Sequence, residues 1–281
     1  MSESTPRSLR AAGTAGAEIT GTGAAGTLQV RDVRLRFGGV VALDGVSFDV
    51  AAGTVCGLIG PNGAGKTALF NCVSGLYRPN SGTVLLDGVD LLGLRADQIA
   101  GVGIARTFQN LGLFATQSVL ENVMGGAYHR TKAGFLAGGL GLPLTWREER
   151  REREHARAIL DSLGLAHLER HPAAGLPLGT LKRIELARAL MLRPRLLMLD
   201  EPANGLILEE VHELASVVRG LRDEHGFSVL LIEHHMGMVM SICDHLVVLN
   251  LGQKIADGLP DEVRNAPAVV EAYLGGPGGA A

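Results

Sequence analysis

The 281-residue sequence predicts an α/β fold, and three observations carry that prediction. First, Val55-Cys56-Gly57-Leu58-Ile59 is a short apolar run. A glycine-rich stretch follows, and then Ala68-Leu69-Phe70-Asn71-Cys72-Val73, which holds no breaker. These read as a buried parallel strand, a loop and a helix. Second, Leu196-Leu197-Met198-Leu199 and Val229-Leu230-Leu231-Ile232 are further buried-strand runs, the first followed at once by Asp200-Glu201 and the second by Glu233-His234-His235. Third, Leu28 to Phe37 alternates with period two, Gly38-Gly39 turns it, and a second alternating run passes through Val46, Phe48 and Val50. This third pattern predicts an antiparallel β layer ahead of the glycine loop.

Composition bounds the rest. Apolar residues make up 46% and charged residues 20%, so the chain is globular with ample sequence for a core. A net charge of −3 argues against a broad nucleic-acid-binding surface, and no nucleic-acid partner is expected. Cys56, Cys72 and Cys243 lie in apolar segments without metal-like or paired spacing and read as core thiols. No run reaches the ~18 apolar residues of a membrane helix. The nearest, Ala133 to Leu144, is short and glycine-rich. An apolar h-region is absent from the N-terminus, so no signal peptide is read. Residues 1–26 are Ala, Gly, Ser and Thr with scattered charge and are expected to be disordered, and residues 275–281 form a loose tail.

The glycine loop carries the strongest chemistry. Gly60-Pro61-Asn62-Gly63-Ala64-Gly65-Lys66-Thr67 fits the phosphate-binding pattern G-x-x-x-x-G-K-[ST]. Glycines allow positive φ and close backbone approach, so successive N–H groups can curl around phosphate oxygens. The following helix N-terminus adds positive partial charge. Lys66 can reach the β/γ-phosphates and the Thr67 hydroxyl can coordinate Mg²⁺. A chance glycine turn is the alternative, and the flanking strand and helix argue against it. The chain is therefore expected to bind a nucleoside triphosphate.

In chain order, Phe37 ends an alternating strand, where its ring could stack on a nucleobase or fill the core. Tyr77 to Gly82 is a turn cluster, and Thr83 to Leu86 a strand. Gly103 to Gln109 is a short strand, and Gln109 at its end could reach a metal or water or stand as a surface residue. Ser118 and Glu121 form a capping box. Tyr128 to Thr145 is irregular and glycine-heavy. Trp146 to Leu163 is a charged helix in which Glu149–Arg153 is a good i,i+4 pair. A solvated face explains it, with a docking surface as the alternative. A glycine turn at Gly179 then feeds a helix through Leu190.

Asp200 and Glu201 follow the next buried strand, at the end where open α/β sheets bind ligands. Two acids there make little structural sense without a partner. Asp200 suits Mg²⁺, and Glu201 suits orienting or deprotonating a water. Leu208 to Glu224 is an amphipathic helix. His234, after the next strand, can donate a hydrogen bond to phosphate. No third ligand at useful spacing suggests a zinc site. A last hairpin spans Leu246 to Ala256, and two short helical segments finish at Leu274.

Together these motifs resemble the ATP-binding subunit of ABC transporters, over about residues 28–274. The resemblance implies a RecA-like P-loop NTPase core with an antiparallel β subdomain and an α-helical signature subdomain at about 110–193, within a nucleotide-binding domain over 27–274. It makes GPNGAGKT the Walker A motif, with Ala68 beside the α-phosphate. It places the Q-loop glutamine at Gln109, near the metal, and the key signature glycine at Gly179. LLMLDEP becomes Walker B, with Asp200 at the metal and Glu201 catalytic. His234 becomes the switch histidine, and Phe37 the base-stacking aromatic. QNLGLF, VLENVM, the LPxG signature and the ending GLPDEVRNAPAVVEAYLG are similar to branched-chain amino-acid importer ATPases, and to the larger of their two subunits. Urea and short-amide importers share much of this pattern.

Departures stand at Ala68, Pro177, Thr180, Asn204 and Ile207, where the family prefers other residues. They touch contacts across a dimer more than ATP binding. The resemblance implies ATP and Mg²⁺ as cofactors and membrane permease subunits as partners. It also implies a second ATP-binding subunit, an indirect solute-binding protein, and a place at the cytoplasmic face of the membrane. The alternatives are an ABC exporter for lipid or polysaccharide, a soluble ABC ATPase of translation or DNA repair, and a small-molecule kinase. The single Walker A, the missing zinc spacing and the signature segment weigh against the last two.

Overall fold

The computed structural model describes residues 25–107, 111–129 and 143–274. Two β layers open the chain. Strands β1 (Leu28–Phe37) and β2 (Val40–Val50) pair antiparallel, with the turn at Gly38 where φ is +57°. Strand β3 (Val55–Ile59) and helix α1 (Lys66–Val73) flank the phosphate loop. Strands β4 (Ser81–Leu86) and β5 (Val89–Asp90) return to the first layer, giving the antiparallel order β2-β1-β4-β5. The expected antiparallel layer is thus present.

Helix α2 (Ala96–Gly101) leads to β6 (Ile104–Arg106). Helix α3 (Val119–Met124) starts at Ser118, whose Oγ accepts the Glu121 N–H at 3.2 Å while Glu121 accepts the Ser118 N–H at 2.8 Å. The capping box read from the sequence is therefore formed. Helix α4 (Pro143–Ser162) begins three residues before the expected Trp146, because proline at a first helical position loses no hydrogen bond. Its exposed pairs Glu149–Arg153 and Arg150–Glu154 make it a solvated face.

Helix α5 (Leu178–Leu190) follows Pro177. Then come β7 (Leu196–Asp200), α6 (Leu208–His225), β8 (Ser228–Ile232) and α7 (Met236–Ile242). The hairpin β9 (His245–Asn250) and β10 (Gln253–Gly258) and helices α8 (Pro260–Arg264) and α9 (Pro267–Leu274) complete the described chain.

The second sheet runs β10-β9-β3-β8-β7-β6, parallel from β9 to β6 with β10 antiparallel at its edge. Period two sends its side chains to opposite faces. Val55, Ile59, Leu197, Leu199, Val229 and Leu231 join one buried cluster with residues of α3 to α7. Cys56, Leu58, Leu196, Met198, Leu230 and Ile232 join a second with Leu69 and Phe70 of α1 and the antiparallel layer. A sheet covered on both faces explains why these strands read as unbroken apolar runs. The three cysteines are buried free thiols, as expected. Among the described residues, no helix is long and apolar enough to cross a membrane.

Candidate functional site

Parallel strands β3, β6, β7 and β8 all end at one edge of the sheet, and the sequence-marked residues gather there. The loop after β3 is shaped by its glycines. Gly60, Gly63 and Gly65 have φ of +146°, +81° and +102°. A Cβ on Gly60 would lie 2.1 Å from the Leu249 carbonyl oxygen, and one on Gly65 would lie 2.6 Å from that of Ala42. Only glycine lets this loop approach its neighbours so closely. A Cβ on Gly63 would meet nothing within 4 Å, so the hollow of the loop is open on that side. The β9–β10 turn braces the loop from behind: the Gly252 N–H donates to the Ala64 carbonyl at 3.0 Å.

Lys66 is buried, and its Nζ donates to the Gly60 and Pro61 carbonyls at 2.7 and 3.0 Å. Burial holds its amine below the ordinary lysine value, opposed by the charge of Glu201. Thr67, Asn62 and Gly63 are exposed, while Ala68 packs partly buried against the core. Pro61 contributes its carbonyl, and Ala64 is buried.

Asp200 ends β7 and has a protein partner that sequence reading did not anticipate. Arg106 Nη2 donates to Asp200 Oδ2 at 2.7 Å, with both side chains nearly buried. Arg106 Nη1 also donates to Asn71 Oδ1 at 2.7 Å and Ser74 Oγ at 2.8 Å. The available signal was an arginine interrupting the apolar β6 run. Glu201 has φ of +48°, a left-handed conformation that side chains other than glycine adopt at a cost. Its N–H donates to the Ile232 carbonyl at 2.9 Å, tying the β7 end to β8.

His234 is half exposed, and its Nδ1 lies 4.0 Å from Glu201 Oε1 and 3.9 Å from Glu233 Oε2. Glu233 is buried and was not singled out by sequence. Its Oε1 accepts the Ala203 N–H at 2.8 Å, and its Oε2 accepts those of His234 and His235 at 2.9 and 3.1 Å. The signal was an acid directly after a buried strand, as at Asp200. Glu233, His234 and His235 bring one ligand atom each within 4.8 Å of one another, a proximity that spacing did not disclose.

Phe37 is 48% exposed and meets Tyr77 edge-on, with centroids 5.1 Å apart, so the core alternative for Phe37 is excluded. Gly179 lies elsewhere in its helix than expected. Helix α5 begins at Leu178 rather than near Thr180, because Pro177, with φ of −56°, sets the entry and its carbonyl accepts the Leu181 N–H at 3.0 Å. Gly179 is thus a first-turn residue and not a turn glycine. Its missing side chain leaves room for Glu210, whose Oε1 would stand 2.9 Å from a Cβ there. Gln109 lies outside the described residues.

A glycine-cradled loop between strand and helix, with acids at the end of a strand two places along the same sheet, defines a P-loop nucleotide-binding protein. Comparison with known proteins narrows this. The ABC transporter family description fits residues 43–204, and that of the branched-chain amino acid ATP-binding cassette transporter fits residues 253–278. The chain is 44% identical over 248 residues to the high-affinity branched-chain amino acid transport ATP-binding protein BraF of Pseudomonas aeruginosa, spanning 88% of this chain and 97% of BraF. Identity to LivG of Escherichia coli, also a high-affinity branched-chain amino acid transport ATP-binding protein, is 41% with the same coverage. A crystal structure of a nucleotide-free ATP-binding cassette from an ABC transporter matches with a TM-score of 0.78 and 33% identity, covering 89% of this chain and 99% of that one. The ADP conformation of an ATP-binding cassette of an ABC transporter matches with the same values. The chain belongs to the ABC transporter family, as an ATP-binding, ATP-hydrolysing subunit.

Proposed function

We propose that this subunit powers an importer of branched-chain amino acids by hydrolysing ATP at the cytoplasmic face of a membrane. One observation carries the ATPase part: the phosphate loop, Asp200, Glu201 and His234 stand together at one sheet edge. The cargo class rests on the relatives' transport of branched-chain amino acids and on the fit of residues 253–278.

Phosphoryl transfer to water needs positioning and charge neutralisation more than covalent chemistry. The loop N–H groups and Lys66, whose Nζ lies against the Gly60 and Pro61 carbonyls, would hold the β/γ-phosphates. Phe37 stacks on the base. The exposed Thr67 hydroxyl at the start of α1 and Asp200 at the end of β7 are the hard oxygen donors that would hold Mg²⁺, and the call of Gln109 as a further ligand falls outside the described residues. Held there, the ion would supply charge neutralisation for the phosphates. Glu201 orients the attacking water from the position just after β7, where its φ is +48°. His234 donates to the γ-phosphate. A second ATP-binding subunit completes the site with its own signature segment, the counterpart of Gly179 and the α5 N-terminus. Permease subunits receive the closure through the Gln109 segment, and a solute-binding protein delivers cargo to them.

Uptake of labelled leucine, isoleucine and valine in cells lacking this chain tests the reading, with urea alongside. Rescue by wild type and not by Lys66→Ala is the expected result. Rescue of urea uptake alone overturns the cargo, and equal rescue by Lys66→Ala overturns the motor.

A further inference from the structure

The guanidinium of Arg106 sits where three parts of the phosphate site meet. It ends β6, the strand that leads toward Gln109. Nη2 reaches Asp200 at the end of β7, and Nη1 reaches Asn71 within α1 and Ser74 at its C-terminus. Its carbon lies 5.5 Å from the Phe70 ring centroid, on the same helix. Ser74 is itself held, its Oγ donating to the Phe70 carbonyl at 2.9 Å. The next residue, Thr107, donates its N–H to the Met198 carbonyl at 2.9 Å, which locks β6 beside β7.

Resting on the reading of Asp200 as a metal-binding carboxylate, we propose that Arg106 is its positioning residue. With Nη1 of the planar fork anchored on Asn71 and Ser74, Nη2 restrains the carboxylate through Oδ2, so that a cation would meet a pre-oriented acid. The same fork ties that orientation to the helix that carries Lys66 and Thr67. The guanidinium thus links α1, the Asp200 carboxylate and the end of β6. Lysine would keep the charge, but its single ammonium point cannot hold the three acceptors in this planar arrangement.

The test uses the full chain with ADP and Mn²⁺ as the paramagnetic probe, titrated by electron paramagnetic resonance. Nucleotide affinity without metal is measured in parallel with a fluorescent ATP analogue in chelator. Arg106→Lys is expected to raise the half-saturating Mn²⁺ concentration about tenfold, the lower end for lost outer-shell support. Metal-free nucleotide affinity is expected to stay within about twofold, because the contacts of Arg106 with α1 fall at Asn71 and Ser74, in its last turn and not at Lys66 or Thr67. Ser74→Ala, which removes one anchor of Nη1, shifts Mn²⁺ in the same direction by a smaller factor and decides the matter if Arg106→Lys does not fold. Asp200→Asn serves as the reference. If Asp200→Asn leaves Mn²⁺ binding intact, the metal role of Asp200 falls. If Asp200→Asn abolishes binding while Arg106→Lys and Ser74→Ala bind Mn²⁺ like wild type, the positioning role of Arg106 is overturned. Equal losses with and without metal also overturn it, since they mark a general structural defect.

Discussion

The phosphate loop and the acid cluster face each other across one sheet edge, yet they are built in opposite ways. The loop is local. Its shape comes from glycines at 60, 63 and 65, and Lys66 rests on carbonyls five and six residues away. The acid cluster is assembled from far along the chain. Asp200 is held by Arg106, which in turn holds Asn71, and Glu233 is engaged by Ala203. A local motif survives as a string of residue types, whereas a carboxylate held by distant donors leaves no short pattern behind it.

The largest effect to expect is chemical and falls on the acid side. Glu201→Gln should lower turnover by about 10²–10⁴-fold while ATP still binds, read by single-turnover hydrolysis beside a binding titration. If ATP binding is lost with turnover, the division of labour between loop and acids is wrong. Next comes the loop itself. Gly60→Ala drives a Cβ into the Leu249 carbonyl and should cost about 3 kcal/mol in denaturant unfolding. Gly63→Ala meets open space and should cost only about 1 kcal/mol, from its positive φ. Equal costs would mean that sterics do not shape the loop.

Glu233→Gln should cost about 2 kcal/mol, because an amide nitrogen cannot accept the N–H groups that the carboxylate serves. It should also slow hydrolysis by loosening His234. Unchanged stability would show that the cluster is not held from Glu233. Phe37→Ala should weaken ATP by about 1 kcal/mol and leave unfolding unchanged, since the ring is half exposed.

The smallest effect is on pH. Burial lowers the Lys66 amine below the ordinary value of about 10.5, so the unfolded chain binds that proton more tightly than the folded one. Stability without nucleotide should therefore gain as pH rises from the folded value toward about 10.5, and Lys66→Met should flatten that gain in alkaline unfolding curves. A stability curve that is the same for both proteins would show that the buried amine carries no strain.

The sequence by itself determined the strand–loop–helix unit at 55–73, the antiparallel layer, the capping box at Ser118 and the placement of Asp200, Glu201 and His234 at strand ends. Each depends on neighbours within a few residues, through backbone freedom, side-chain period or a single cap. Tertiary structure alone decided that four strand ends share one edge, that Phe37 is exposed beside Tyr77, and that Gly179 makes room for Glu210 inside the first turn of its helix. It also decided that Arg106 pairs with Asp200 and that Glu233 accepts the His234 N–H. Those arrangements depend on strand order and on donors tens of residues away, and the rule that a buried charge must find partners says that they exist without saying where.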